Sequence, residues 1–249
     1  MQKIALVTGA SSGIGWATAV ALAGKGYNLI ICGRRKERLE ELASNVSVKT
    51  LLLTFDVKDR QAVDEALSSI PQEWKNIDVL INNAGNAHGL SKIQDGSIED
   101  WDAMIDINVK GLLYVTKAIV PGMIERGSGH VVNVGSIAGK EVYPNGNVYC
   151  ASKHAVDAIN NGMRLDLLGT GVKVSQVCPG LVETEFSLVR FKGDEGRAGS
   201  VYQGFDPLTA EDIADLIQFI VTRPAHVNIA DSLILPTAQV ASTMVHKKL

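Results

Sequence analysis

The sequence predicts an α/β protein, a parallel β-sheet with helices packed on both faces. Three observations carry that reading. Seven short apolar runs recur along the chain, at residues 4–7, 29–32, 50–55, 79–81, 131–134, 172–178 and 233–235. Each is too short for a helix, and several are rich in Val and Ile, which suit strands. Longer amphipathic stretches separate the runs, and continuous apolar strands alternating with helices mean a parallel sheet buried on both sides. No internal repeat, low-complexity tract or linker divides the 249 residues, so residues 1–249 read as one domain.

Composition excludes several function classes. The formal net charge is −3 and 46% of residues are hydrophobic, which leaves no basic footprint for nucleic acid. No apolar run is long enough to span a membrane. The N-terminus enters the first apolar run directly and ends it at Thr8-Gly9, which reads as a strand and not a signal peptide. Cys32, Cys150 and Cys178 are scattered and odd in number. That argues for reduced thiols in the cytoplasm, against a disulfide framework and against a zinc site.

The first run closes on Thr8-Gly9-Ala10-Ser11-Ser12-Gly13-Ile14-Gly15, just before an apolar helix. Gly9 permits the tight turn, Gly13 lets backbone approach a pyrophosphate on the helix N-terminus, and Gly15 allows close helix–strand packing. The spacing is G-x-x-x-G-x-G. The second run ends Gly33-Arg34-Arg35, with no acid. An acid about 20 positions past the glycines would hold the ribose hydroxyls of NAD, whereas arginine there favours the 2′-phosphate of NADP. The bland alternative is a basic helix start paired with Glu37, Glu40 and Glu41, though cations at a helix N-terminus oppose its dipole.

Asp56-Val57 ends the third run. Asp56 accepts from an adenine amino group or caps the helix that starts near Arg60. Asn82-Asn83-Ala84-Gly85 ends the fourth and suggests backbone held close to a ligand or a neighbouring strand. Asn108 falls inside a predicted long helix, where its amide competes with the backbone, so a kink or a bound water is expected there. The fifth run ends at Gly135-Ser136, where the hydroxyl can polarise a carbonyl. The sixth ends Cys178-Pro179-Gly180 and opens a long irregular region at about 180–206, the length of a functional lid.

Tyr149 and Lys153 stand four apart in the first turns of a predicted helix, so they share a face with Cβ atoms about 5–6 Å apart. An ammonium at that range lowers the phenol's pKa by about two units, toward a value useful for proton transfer. Taken alone, such a pair is more often a half-buried aromatic beside a solvated lysine.

Together these motifs resemble the short-chain dehydrogenase/reductase family, in order, in spacing and over essentially the whole chain. The resemblance implies a Rossmann-like, doubly wound seven-stranded sheet of order 3-2-1-4-5-6-7, a homo-oligomer that is often a tetramer, and hydride transfer at C4 of a nicotinamide. It assigns Tyr149 as proton donor and acceptor. Lys153 binds the nicotinamide ribose and tunes the tyrosine, Ser136 bonds the substrate oxygen, and Asn108 holds a water that relays protons to Lys153. Gly9, Ala10, Ser11, Ser12, Gly13, Ile14, Arg34, Arg35, Asp56, Val57, Asn83, Ala84, Gly85, Pro179, Gly180, Val182 and Thr184 line the cofactor with Tyr149 and Lys153. Two departures stand out: Trp16 after the third glycine, which can alter packing over the cofactor, and Gly135 where a second serine is common.

Residues 184–187, 189–194 and 224–229 are similar to the NADP-dependent 3-hydroxy acid dehydrogenases, a group that includes L-allo-threonine and serine 3-dehydrogenases and malonic semialdehyde reductases. This implies a small 3-hydroxy acid as substrate. A 3-oxoacyl thioester reductase, a general carbonyl reductase and a non-catalytic NADP(H) sensor are the alternatives. Arg190, between Val189 and Phe191 in the lid region, is then either a forked clamp for the substrate carboxylate, a subunit contact, or the partner of Glu183, Glu185 or Asp194.

Overall fold

A computed structural model describes residues 2–248. The first half alternates as β1 (Ile4–Thr8), α1 (Gly13–Gly24), β2 (Asn28–Gly33), α2 (Lys36–Ser44), β3 (Thr50–Thr54), α3 (Arg60–Ser68) and β4 (Val79–Asn82). Then come α4 (Ile98–Ile105), α5 (Leu112–Glu125), β5 (Gly129–Val134), α6 (Asn147–Asp166) and β6 (Val172–Pro179). The chain continues with α7 (Phe186–Arg190), α8 (Glu195–Ser200), α9 (Ala210–Val221) and β7 (Asp231–Ile234). A small antiparallel pair, β8 (Gln239–Ala241) and β9 (Met244–Val245), follows.

The seven predicted strands are all present, and they pair in parallel in the order β3-β2-β1-β4-β5-β6-β7. Successive strand residues point to opposite faces, and both faces are apolar. Leu6, Ile30 and Leu80 pack with Val63 and Leu67 of α3 and Val115 and Ile119 of α5. Their chain neighbours Val7, Ile31 and Ile81 pack with Leu22 of α1, Leu39 of α2 and Ile213 of α9. Each such buried side chain is worth about 1.5–3 kcal/mol. This two-sided burial is why the strands read as unbroken apolar runs.

Two expectations need correction. The 180–206 region is not irregular, because it folds into α7 and α8 and forms a parallel bridge from Val182 to Leu208. Helices this short leave too few turns for a periodic apolar signal. The β8–β9 pair was not anticipated either, as strands of three and two residues carry no readable alternation.

One buried group makes the fold sensitive to acid. His130 of β5 is 4% exposed, and its Nε2 shares a 2.8 Å hydrogen bond with Ser175 Oγ. Burial pushes its pKa down to about 3, with Lys173 adding to the shift. A depressed histidine pKa means the unfolded chain takes up a proton the native chain refuses. Stability is therefore intact above the unfolded value near 6.5 and falls as pH drops below it. Urea unfolding at pH 7 and pH 5 should show wild type losing about 2 kcal/mol more than His130→Gln over that interval. Equal losses would remove His130 as the source.

Candidate active site

Parallel alignment delivers the carboxyl ends of the strands to one edge, where open α/β sheets hold ligands. A cleft of about 480 Å³ runs along that edge. A larger groove of about 800 Å³ lies between α3 and α5, but it gathers none of the predicted site residues.

The first wall of the cleft is the turn after β1. Gly9, Ser11, Ser12, Gly13 and Ile14 line it, while Ala10 is fully buried behind them and donates its N–H to Cys32 O at 3.0 Å. A Cβ on Gly15 would stand 2.3 Å from Gly9 O, so only glycine lets α1 sit this close to the turn. Ser12 precedes α1 without a side-chain cap, which leaves the helix's first N–H groups for an anion. Asn83 Nδ2 donates to Thr8 O at 2.9 Å and Gly9 O at 3.2 Å, locking β4 to the turn. Ala84, Gly85, Pro179, Gly180, Val182 and Thr184 also line the cleft.

Arg34 and Arg35 stand where the cleft meets the ends of β2 and β3. Among the described residues neither pairs with Glu37, Glu40 or Glu41. Lys36 and Arg38 take Glu40 and Glu41 instead. Arg34 Nη1 lies 3.7 Å from Asp56 Oδ2, and Arg35 Nη2 lies 3.0 Å from Glu185 Oε2. Asp56 and Val57 line the cleft, and α3 is capped by Asp59, not Asp56. Trp16 does not line the cleft. Its ring packs in the α1–α9 cluster under the Arg38 guanidinium, 4.9 Å away, so it staples α1 to α2.

At the other end, α6 carries Tyr149 and Lys153 in its first two turns, 8% and 6% exposed. Lys153 Nζ donates to Val134 O at 3.0 Å, tying the helix to the last residue of β5. Asn108 lies in a π-helical segment, Asp106–Gly111, which joins α4 to α5 and is the expected kink. Its Oδ1 accepts from Asn86 N at 2.8 Å, and its Nδ2 donates to Asn86 O and Ser152 Oγ. A Cβ on Gly85 would fall 3.3 Å from Asn108 Oδ1 and 3.6 Å from Lys153 Nζ. The bare glycine keeps the space between those two groups open.

The electrostatics differ from the sequence expectation. Burial raises the Tyr149 pKa above its ordinary value and Tyr143 adds to it, while Arg190 and Ser136 oppose. Burial lowers Lys153 to about 8, with Cys178 opposing. The i,i+4 face is as expected, but Lys153 spends its ammonium on the Val134 carbonyl. Desolvation therefore dominates the phenol. Gly135, in turn, is forced by its neighbours. A Cβ there would lie 2.5 Å from Gln176 Nε2 and 3.0 Å from Cys178 Sγ.

Arg190 makes no ion pair with Glu183, Glu185 or Asp194 among the described residues. Its guanidinium lies 4.8 Å from the Tyr149 ring centroid, and Nη2 donates to Tyr143 Oη at 2.6 Å. Its Nε is buried without a partner. Phe186 meets the Tyr149 ring edge-on at 5.7 Å. Tyr143, Glu185 and Phe186 were not singled out as site residues from the sequence. Glu185 and Phe186 lie in the 184–187 stretch that resembles the 3-hydroxy acid dehydrogenases, but nothing around Tyr143 signals a role.

With this geometry in place, the family model described as short chain dehydrogenase matches residues 3–194. The NADP-dependent 3-hydroxy acid dehydrogenase of Escherichia coli strain K12 is 46% identical over 98% of this chain and 100% of its own length. Sulfoacetaldehyde reductase 2 of Chromohalobacter salexigens is 45% identical over 96% of both chains. A closed form of serine dehydrogenase complexed with NADP+ superposes with a TM-score of 0.94 at 45% identity, covering 98% of this chain and all of that one.

Tyr149→Phe keeps the ring and removes only the proton. It should fold, bind NADPH and lose about 10²–10⁴-fold in turnover. The raised pKa keeps the wild-type phenol protonated at neutral pH, so reduction should run well there and oxidation should climb toward alkaline pH. A variant within threefold of wild type, or the reverse pH trend, would exclude Tyr149 as the proton donor.

Proposed function

The chain belongs to the short-chain dehydrogenase family, and on that premise we propose that it interconverts small 3-hydroxy acids and their 3-oxo counterparts with NADP. The glycine turn, the uncapped start of α1 and the paired arginines fit a dinucleotide bearing a 2′-phosphate. When bound, NADP supplies or accepts a hydride at C4 of its nicotinamide. Tyr149 gives its proton to the substrate oxygen in reduction and recovers it in oxidation. Ser136 bonds the same oxygen. Lys153, held charged below about pH 8, would bind the nicotinamide ribose between itself and the phenol. In this reading a water held by Asn108 across the gap over Gly85 passes a proton to Lys153 as Lys153 hands one on to the Tyr149 phenolate, which restores the phenol for the next reduction.

One observation carries the substrate class: a guanidinium over Tyr149 that no carboxylate of the described chain neutralises. A planar fork beside the reacting oxygen suits an acid group two carbons away. The same fork suits a sulfonate, the group borne by the substrate of the sulfoacetaldehyde reductase. A 3-oxoacyl thioester has no free acid to meet it, and an idle sensor has no need of the Ser136–Tyr149–Lys153 set.

Arg190→Ala should raise KM for 3-hydroxy acids about 10–100-fold, the worth of a charged hydrogen bond, and spare uncharged carbonyl substrates. Uniform loss across charged and neutral substrates would refute the clamp. If wild type shows no preference for acids, the protein is a general carbonyl reductase.

Oligomerisation and location form part of the same reading. Leu165 in the last turn of α6 and Leu168 just past its end stand 78% and 86% exposed, Leu113 and Ile124 are exposed on α5, and Leu233 is exposed on edge strand β7. Such surface supports a homotetramer. Three free, buried thiols and the absence, among the described residues, of a helix long and apolar enough to cross a membrane support a cytoplasmic enzyme. Sedimentation should return a four-chain species, and Leu165→Glu with Leu168→Glu should lower its order. A monomeric wild type would rule the tetramer out.

A further inference from the structure

Arg35 is shared between the glycine turn and the segment that covers the substrate end. Its Nη2 donates to Ser11 O at 3.2 Å and to Glu185 Oε2 at 3.0 Å, and its Nε donates to Ser11 Oγ at 3.4 Å. Glu185 is the residue that opens α7, and its carbonyl accepts from Val189 N at 3.0 Å. The same helix sets Phe186, the next residue, and Arg190, at its last position, against Tyr149. A five-residue helix thus joins the adenosine end of the cleft to the catalytic phenol. The two partners of the Arg35–Glu185 pair are 45% and 47% exposed, so the pair is weak. A phosphate dianion competes for the same fork with more charge and more acceptor oxygens.

We propose that Glu185 is a latch: it holds Arg35 while no 2′-phosphate is present and releases it when one binds, so that recognition of NADP frees the start of α7 over Tyr149. The proposal rests on the reading of Arg35 as a 2′-phosphate ligand. NAD, with a hydroxyl at that position, leaves the pair intact. Only the N-terminal end of α7 is freed. Its far end stays anchored by Gly89 N to Arg190 O at 2.9 Å and by Lys192 to Asp100 at 2.9 Å. Glu185 therefore costs NADP affinity and makes the 2′-phosphate the trigger for loosening the cover.

Adenosine 2′,5′-bisphosphate and AMP, which lack nicotinamide, separate this effect from turnover. In wild type the bisphosphate should speed amide hydrogen exchange of residues 186–189 about threefold or more, and AMP should not. Glu185→Gln should exchange fast without ligand, show no further response, and bind the bisphosphate about threefold to tenfold tighter with AMP affinity unchanged. Exchange that slows or stays constant in wild type on bisphosphate binding overturns the latch. Arg35→Ala tests the premise. If it keeps the preference for bisphosphate over AMP, the phosphate reading and the latch both fail. If it loses that preference while Glu185→Gln binds no tighter, the latch alone fails.

Discussion

The parallel alignment of the sheet is the constraint on which the rest depends. A helical crossover between successive strands makes every strand run the same way and buries both faces, so the strand carboxyl ends gather at one edge. The turn after β1, the arginines after β2, Asp56 after β3 and Asn83 after β4 meet there. So do Ser136 after β5 and Pro179 at the end of β6. These residues are far apart in the chain and share no local structure. A binding cleft follows from the topology before any side chain is chosen.

At the substrate end, burial sets the chemistry. Desolvation drives Tyr149 up and Lys153 down, which favours the neutral form of each. The opposing charge on the phenol comes from Arg190, a residue of α7 and not of α6. On the proposed reading of Arg190 as the acid clamp, the same guanidinium both meets the substrate and acts on the Tyr149 phenol, and neutralising it with an anionic substrate would return the phenol toward its protonated form. In the reductive direction that keeps the acid poised. The Lys153–Val134 bond serves a different end, holding α6 at a set height above the sheet edge.

Support for Ser136 comes from below the cleft. Gly135 is bare because Gln176 and Cys178 fill the space a side chain would take. Cys178 Sγ lies 3.6 Å from Asp231 Oδ1, and Lys140 binds both Asp231 and Asp157. The turn that carries Ser136 is therefore bound to β6, β7 and α6 together. The serine often found at this position would have to displace the glutamine, so the departure at residue 135 is compensated and leaves the site whole.

How much of this was legible in the sequence follows the range of each interaction. Strand runs, the glycine turn and the Tyr149–Lys153 face are set by neighbours within a few residues, and they stand where the sequence placed them. The kink at Asn108 was readable for the same reason, since an amide in mid-helix is a local conflict. Arg35 and Glu185 are 150 residues apart, and Arg190 reaches Tyr143 across 47. No local pattern announces either pair. The direction of the Tyr149 shift was misread because the i,i+4 spacing supplies the distance to a charge but not the loss of water around the phenol. Local periodicity and residue chemistry thus determined the fold class and the shared helix face of Tyr149 and Lys153. Which arginine meets which acid, and how far each group is desolvated, were decided only by tertiary packing, because burial is a property of the folded whole.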